Sequence, residues 1–462
     1  MVVSKRSKTK KANRSSELEK IRPDAAGIDL GSKEHVAAVG EDLVKAGQSR
    51  VRYFATHSQG VAQLVEWLLS LGVSTVAMEA TGVYWMGLYE ALEQGGIEVC
   101  LVNARHLKNV AGRKSDVIDA KWIQQLHSYG LLRPSFVPEQ TIRDLRTYVR
   151  QRDNLKAEKS RAMLHIHKAL DMMNVKVHHY ITNMDGPTGM QILRAIVQGQ
   201  TDASVLSQFH SKQLKVSRQD LEVSLQGNYR AAHVFALTQA LERFDFAARQ
   251  MQGCDLEIEK MLAQMTEGLD NLPEQEQALR PSKKKVKKNA YTFDLKSYLH
   301  ELVGVDLTAI DGLSESSVLD VISETGVDLQ QCWPTDSHFT SWALLSPKIK
   351  ISGGKNIGHF KVKSVNRVNE TFRLAAYGLA NSKSALGAFY RSVRARRGTK
   401  AANKATARKI AVIFYHMVTK QEEYRQTSQQ KYEERTKARR IKRLKKQADQ
   451  LGFKVEEIKI CN

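Results

Sequence analysis

The sequence lacks any run of about 18 apolar residues, so its hydropathy excludes a membrane-spanning helix. Cysteine is scarce. Cys100, Cys254, Cys332 and Cys461 lie far apart, and no Cys-x-x-Cys occurs. That spacing argues against a zinc knuckle and a disulfide framework, and for a reducing, cytoplasmic setting. The basic stretch from Met1 to Arg14 is followed by no apolar core, which speaks against a secretory signal. No internal repeat is visible. Acidic charge is short as well: 49 Asp and Glu stand against 71 Lys and Arg over 462 residues, a net charge of +22. An excess of that size points to a polyanionic partner. At about 100–200 residues per domain, the length implies two to four domains.

The positive charge is concentrated. Residues 1–16 hold six basic residues, 283–288 five, 391–409 eight and 437–446 seven, and none of these blocks contains an acid. Without them the chain would carry 45 basic and 49 acidic residues. The excess therefore sits in patches and tails on a nearly neutral body. Such blocks often serve only solubility. The block 391–409 lies in a helical pattern, where contact with phosphates is the better reading.

Residues 1–23 read as a basic, disordered arm. Short strands are expected at Gly27–Leu30, His35–Val39 and Arg50–Ala55. Ser58 suits the N-cap of a helix ending before Gly72. Val73–Ala80 and Ile97–Val102 read as strands, Tyr84–Gln94 and Lys114–Tyr129 as helices. The order β-β-β-α-β-α-β-α implies a mixed sheet covered by helices, the order of ribonuclease-H-like folds. Pro138 marks a boundary. Thr141–Asn174 and Ala231–Glu267 each carry a long helical pattern, and an insertion around 175–228 separates them. Together they suggest an antiparallel helical arm or coiled coil. The expected domains are thus 1–23 (arm), 24–136 (catalytic sheet domain), 137–282 (helical arm with insertion), 283–300 (basic linker), 301–420 (mostly helical C-terminal domain) and 421–462 (charged helical tail).

Four carboxylates stand out. Asp29, between Ile28 and Leu30, points to the opposite sheet face from those neighbours. Glu79 closes a strand at its carboxyl end. Asp116 and Asp119 share one side of a helix, and Asp119 falls in an apolar arc with Ile118, Trp122, Ile123 and Leu126. Each alone has an ordinary role: turn, solvated strand end or helix N-terminus. Brought together, they could not all ionise cheaply without a cation. Oxygen-only ligands favour Mg²⁺ or Mn²⁺, and two such ions would serve phosphodiester chemistry. Ile28-Asp29-Leu30-Gly31-Ser32 also resembles the opening of actin-like ATPases. That fold needs a second strand–turn motif, which neither Met184-Asp185-Gly186 nor Ile310-Asp311-Gly312 supplies.

Farther on, Ser352-Gly353-Gly354 is flanked by Lys350 and Lys355. Paired glycines permit positive φ and close approach to a phosphate. No His–Asp pair nearby makes an evident triad, so Ser352 as a nucleophile would need activation from elsewhere.

These residues resemble the DEDD-type transposases of bacterial insertion sequences, the bridge-RNA-guided recombinases. The resemblance rests on Gly27-Ile28-Asp29-Leu30-Gly31-Ser32-Lys33, on Met78-Glu79-Ala80-Thr81-Gly82-Val83-Tyr84, and on Val102-Asn103-Ala104-Arg105 through Lys114-Ser115-Asp116-Val117-Ile118-Asp119-Ala120. In the last domain it rests on Asp311-Gly312-Leu313, Trp342 to Pro347 and Ser352-Gly353-Gly354. It spans about 24–135 and 300–420.

The resemblance implies a RuvC-like domain in which Asp29, Glu79, Asp116 and Asp119 bind Mg²⁺ and act in catalysis. It implies a C-terminal transposase domain whose Ser352 attacks the scissile phosphate and forms a covalent protein–DNA intermediate. It further implies a homodimer or tetramer, joined through the helical arm, in which acids and serine meet across subunits. The partners would be donor DNA, target DNA and a noncoding guide RNA encoded by the element, in a bacterial cytoplasm and associated with the nucleoid. Base pairing would then set sequence choice. The stretch 139–290 is longer than usual for the family, and the tail 421–462 is extended.

The expected activity is therefore Mg²⁺-dependent, RNA-guided DNA strand cleavage and rejoining. Lys350, Lys355, Arg391, Arg394, Arg396, Arg397 and Lys400 are the expected nucleic-acid contacts. Two alternatives stand beside it: a RuvC-like endonuclease that uses water, and a non-catalytic nucleic-acid-binding assembly protein.

Overall fold

The computed structural model describes residues 19–103, 116–268, 288–347, 349–359, 366–424 and 428–456. Most of the basic arm, the linker through 287, the segment 104–115 and residues 457–462 lie outside them. The chain divides into two compact units, one through Val137 and one from Pro138.

In the first unit, β1 (Ala25–Leu30), β2 (Glu34–Val39) and β3 (Val51–Ala55) form an antiparallel meander. Helix α1 (Ser58–Ser70) leads to β4 (Thr75–Glu79), which pairs parallel with β1. Helix α2 (Trp85–Gln94) leads to β5 (Glu98–Val102), parallel with β4. Helix α3 (Asp116–Ser128) follows. The strand order β3-β2-β1-β4-β5 is that of a ribonuclease-H-like sheet, as the element order implies. One detail differs. The N-cap of α1 is His57, whose Nδ1 accepts from the Gly60 N–H at 3.1 Å. Ser58 is already helical, because the imidazole has taken the capping position.

Alternation sorts the two faces of the sheet. Ile28, Leu30, Val76, Met78 and Leu101 enter one core with Leu64, Leu68, Leu88 and Leu92 of α1 and α2. Ala77, Cys100 and Val102 face the other way and pack with Ile123 and Leu126 of α3. Gly27 marks where α3 comes nearest. A Cβ there would lie 2.2 Å from the Gln124 nitrogen and 2.6 Å from the Ala120 oxygen, so only glycine admits the helix at this distance.

The second unit is built on α4 (Gln140–Met172). Ile142, Leu145, Val149 and Arg152, then Met163, Ile166 and Leu170, are buried at steps of three and four. Four short helices follow: α5 (Val177–Tyr180), α6 (Pro187–Val197), α7 (Ala203–Leu206) and α8 (Arg218–Ser224). Helix α9 (Ala231–Thr266) then returns along α4. Its direction is fixed at two places. The Asn228 N–H donates to the Met173 oxygen at 2.7 Å, at one end of the pair. Arg152 pairs with Asp255 farther along. The two long helices are therefore antiparallel. The segment between them is not a loose excursion. Ile181, Ile192, Ile196, Leu206 and Leu221 share one core with Ile166 and Leu170 of α4 and Leu237 and Leu241 of α9.

The rest is mostly helical: α10 (Leu295–Val303), α11 (Glu315–Thr325), α12 (Leu329–Cys332) and α13 (Asp336–Trp342). A hairpin of β6 (Ile349–Ser352) and β7 (Lys355–His359) interrupts them. Then come α14 (Arg367–Gly378), α15 (Ala385–Lys420) and α16 (Gln429–Gln450). Aromatic rings join three of these helices. Phe372 meets Phe339 and Phe414 edge-on, with centroids 6.4 and 5.6 Å away. The Tyr415 hydroxyl donates to the Trp333 oxygen at 2.6 Å. Among the described residues no helix is long and apolar enough to cross a membrane.

Candidate active site and nucleic-acid interface

Strands β1 and β4 are paired up to Ile28 and Met78. Asp29 and Glu79 come next on each strand. They stand side by side at the carboxyl ends of two adjacent parallel strands, on the face opposite Ile28 and Met78. That is the face covered by α3.

The helix runs antiparallel to β1. Gln124 Nε2 donates to the Ala25 oxygen at 3.2 Å, while Ala120 lies against Gly27. One turn toward the helix start therefore comes level with Asp29. Asp116 and Asp119 occupy that first turn. Asp119 is half-buried and lies one turn ahead of the buried Ile123. Asp29 and Glu79 are half-buried too. Thr81 Oγ1 donates to Glu79 Oε1 at 3.2 Å, which orients that carboxylate. The Asp116 side chain lies outside the described residues.

The sheet thus brings three acidic positions and the backbone of the fourth to one end of one face. Asp29, Glu79 and Asp119 do not by themselves form a group whose donor atoms all lie within 4.8 Å. Among the described residues Asp171, His178 and His179 are the one such group. The described donors at the sheet end, on Asp29, Glu79 and Asp119, are carboxylate oxygens on half-buried positions. That set fits a hard divalent cation such as Mg²⁺, which would draw the oxygens together.

Residues 26–175 match the family model of a transposase, the DEDD type named for IS110. Residues 26–175 therefore carry the IS110-type DEDD transposase domain. The match covers the sheet unit and the whole of α4, and stops where the inserted short helices begin. No curated protein matches the sequence.

Ser352 belongs to the second unit, whereas Asp29, Glu79, Asp116 and Asp119 belong to the first. It ends β6 and pairs with Lys355 across a two-residue turn. Gly353 and Gly354 have φ of +55° and +74°, the conformation such hairpin turns require. The serine is exposed at the tip of a hairpin, with Ile351 and Ile357 also exposed on its strands. Lys350 is exposed on β6, and the Lys355 side chain lies outside the described residues.

The basic block on α15 divides by role. The helix breaks at Gly398, where φ is +79° and ψ 172°. Arg394, Arg396, Arg397 and Lys400 are exposed on either side of the break. Arg391 is different. Its guanidinium donates to the Ala380 and Ser382 oxygens at 3.3 and 2.6 Å and to Gln429 Oε1 at 3.0 Å, which ties α15 to the start of α16. Lys409 places its Nζ 4.3 Å from the Phe389 ring centre, and burial lowers its pKa.

Arg373 is not among the contacts expected from the sequence. It lies on α14 and lines a groove with Lys400, Asn403, Lys404, Asn369 and Tyr377. Only packing of α14 on α15 joins a lone arginine to the basic block, and no local pattern announces it. Helix α16 buries no residue, and its Lys437–Lys446 stretch presents seven cations and no acid.

Proposed function

We propose that this transposase cuts and rejoins DNA strands through Asp29, Glu79, Asp116 and Asp119, with Ser352 as the attacking group. The observation that carries the reading is the register of β1 and β4, which sets Asp29 beside Glu79 under the first turn of α3. Mg²⁺ or Mn²⁺ held there would activate an oxygen nucleophile and stabilise the leaving oxygen of a phosphodiester. The carboxylates hold that charge and fix its place against the sheet.

Ser352 Oγ forms a bond to the scissile phosphorus as the bond to a deoxyribose oxygen breaks. The serine proton passes to a carboxylate base, and the departing oxygen takes up a proton. A DNA hydroxyl then attacks the same phosphorus and releases the serine, so no other reactant is consumed. The exposed hairpin tip supports this role, since a nucleophile that must reach DNA cannot be buried. The acids and the serine lie in different units. A homodimer or tetramer, joined through the helical pair as a coiled coil, would let one copy's serine meet another's acids.

An element-encoded guide RNA would pair with donor and target DNA. Arg394, Arg396, Arg397 and Lys400, with Lys350, Lys355, Arg373 and the cations of α16, would hold the nucleic-acid backbones. The domains would follow the same division: a RuvC-like domain at 24–136, an arm at 137–282, a linker at 283–300, a transposase domain at 301–420 and a tail from 421.

The test is a denaturant-resistant protein–DNA adduct, formed with the RNA, cognate DNA and Mg²⁺. The adduct should form with the parent. It should vanish in Ser352→Ala, Asp29→Ala and Asp119→Ala. Cleavage that survives Ser352→Ala would replace the serine by water. Tight binding with no cleavage under any condition would leave a binding protein.

A further inference from the structure

We propose a second metal site, for a borderline-soft transition ion such as Zn²⁺, at the C-terminal end of α4 and built from none of the four acids. Its ligands are Asp171, His178 and His179. One donor atom from each lies within 4.8 Å of the other two. Asp171 is the penultimate residue of α4, and both histidines lie on α5, across the reversal at Met173–Lys176. Asn174 makes that reversal with φ of +58°.

The chemistry of the cluster favours this reading. Two imidazole nitrogens and one carboxylate oxygen make a set that suits Zn²⁺, and that Mg²⁺ binds poorly. His178 Nε2 faces Asp171 Oδ2 at 3.5 Å, while Asp171 Oδ1 accepts from Lys176 Nζ at 2.6 Å. One carboxylate oxygen is thus held by the lysine and the other is turned to the imidazoles. The His178 side chain is only 10% exposed, and its Nδ1 is buried with no hydrogen-bond partner among the described residues. His167 Nε2 is likewise buried and unpartnered. The His167 ring stacks on His178 with centroids 5.1 Å apart, and the His178 and His179 centroids are 4.4 Å apart. Buried nitrogens without partners destabilise a fold unless something accepts their lone pairs. Three imidazoles packed in a row make an uncommon core, and a cation held with Asp171 would be coordinated by two of them, His178 and His179. Asp171 and His179 are exposed, so an ion has a way in and a water can complete its coordination.

The ion would clasp the end of α4 to α5. It would fix the point where the inserted short helices leave the long helical pair. His167, one turn before Asp171, would be a positioning residue that holds the His178 ring.

The test is titration of the full-length protein, cleared of metal by a chelator, with Co²⁺ alone as probe. Millimolar Mg²⁺ is kept present to fill the carboxylate site. We expect one equivalent of Co²⁺ to bind with visible d–d bands of nitrogen coordination, and Zn²⁺ to displace it. Asp171→Asn and His179→Ala should each weaken binding by more than about 100-fold, and His167→Ala by about 10–100-fold. Zn²⁺ should also slow amide exchange across 167–181 in the parent, and not in His179→Ala. His179 is exposed, so that variant keeps its core and tests the ligand rather than the fold. A parent with no saturable Co²⁺ band, or a band unchanged in both Asp171→Asn and His179→Ala, would overturn the site. Asp29→Ala should leave the band intact, so this result stands or falls apart from the cleavage reading.

Discussion

Arg152 of α4 and Asp255 of α9 form an ion pair whose side chains are each only 3% exposed. The pair is also a tether. Arg152 Nη2 donates to the Asn289 and Ala290 oxygens at 3.2 Å, its guanidinium lies 3.7 Å from the Tyr291 ring centre, and the Thr292 N–H donates to Asp255 Oδ2 at 3.2 Å. Residues 289–292 of the linker are thus fastened to the middle of the helical pair. Removing one partner leaves the other charge buried. Asp255→Ala should cost about 3–5 kcal/mol of stability in denaturant unfolding. A loss under about 1 kcal/mol would mark the pair as solvent-screened.

Asp320 on α11 predicts a pH effect in the same unit. Burial pushes its carboxyl up to about 7, and the nearby Asp153 charge adds to that, against the cations Lys156, Arg367 and Arg152. The folded state then holds a proton that the unfolded state releases near pH 4. Stability should fall as pH rises from about 4 to 7, by on the order of 2–4 kcal/mol. Asp320→Asn should flatten that fall and be the more stable form at pH 8. Parallel unfolding curves for parent and variant at pH 5 and pH 8 check it, and equal slopes against pH would refute it.

His127 gives the opposite sign in the sheet unit. It lies 1% exposed under the sheet, 2.9 Å from Thr75 Oγ1. Burial pulls its pKa down to about 4, with the Arg22 charge assisting and Asp24 opposing. The unfolded state binds a proton near pH 6.5 that the folded state refuses. Stability should therefore drop as pH falls from about 6.5 to 4, by on the order of 3 kcal/mol. In His127→Gln that acid-side drop should shrink. Amide exchange on β1 and β4, followed against pH, reports it for this unit alone.

The exposed cations beside Gly398 predict a salt effect. If Arg394 and Arg397 meet phosphates, changing both to Gln should weaken nucleic-acid binding. The slope of log K against log salt should flatten by roughly 0.7–0.9 per lost contact. Arg391→Gln should instead lower stability, since its donors hold backbone oxygens of this chain. An unchanged slope in the double variant would show a solvated face.

Much of the sheet unit was legible residue by residue. Gly27-Ile28-Asp29-Leu30 and Val76-Ala77-Met78-Glu79 show strand alternation with one acid out of place on each, and both acids fall on one face in the structure. The cluster around Asp171 was not legible in that way: Asp171 is followed by His178 and His179 at a spacing that matches no familiar motif. Ser352 showed its glycines but not its hairpin, because two short strands rich in lysine carry little periodic signal.

The sequence by itself determined the elements of the sheet unit and the two long helices, because side-chain alternation and helical spacing are properties of neighbours along the chain. It also determined that the acids lie at strand and helix ends, and that the cations lie in blocks. Tertiary structure decided what those residues meet. Strand register set Asp29 beside Glu79, packing of α14 on α15 brought Arg373 to Lys400, and one chain reversal brought Asp171 to the His178–His179 pair as a candidate metal site. Electrostatic and coordinate bonds act over a few ångströms of space, and distance along the chain does not report that space.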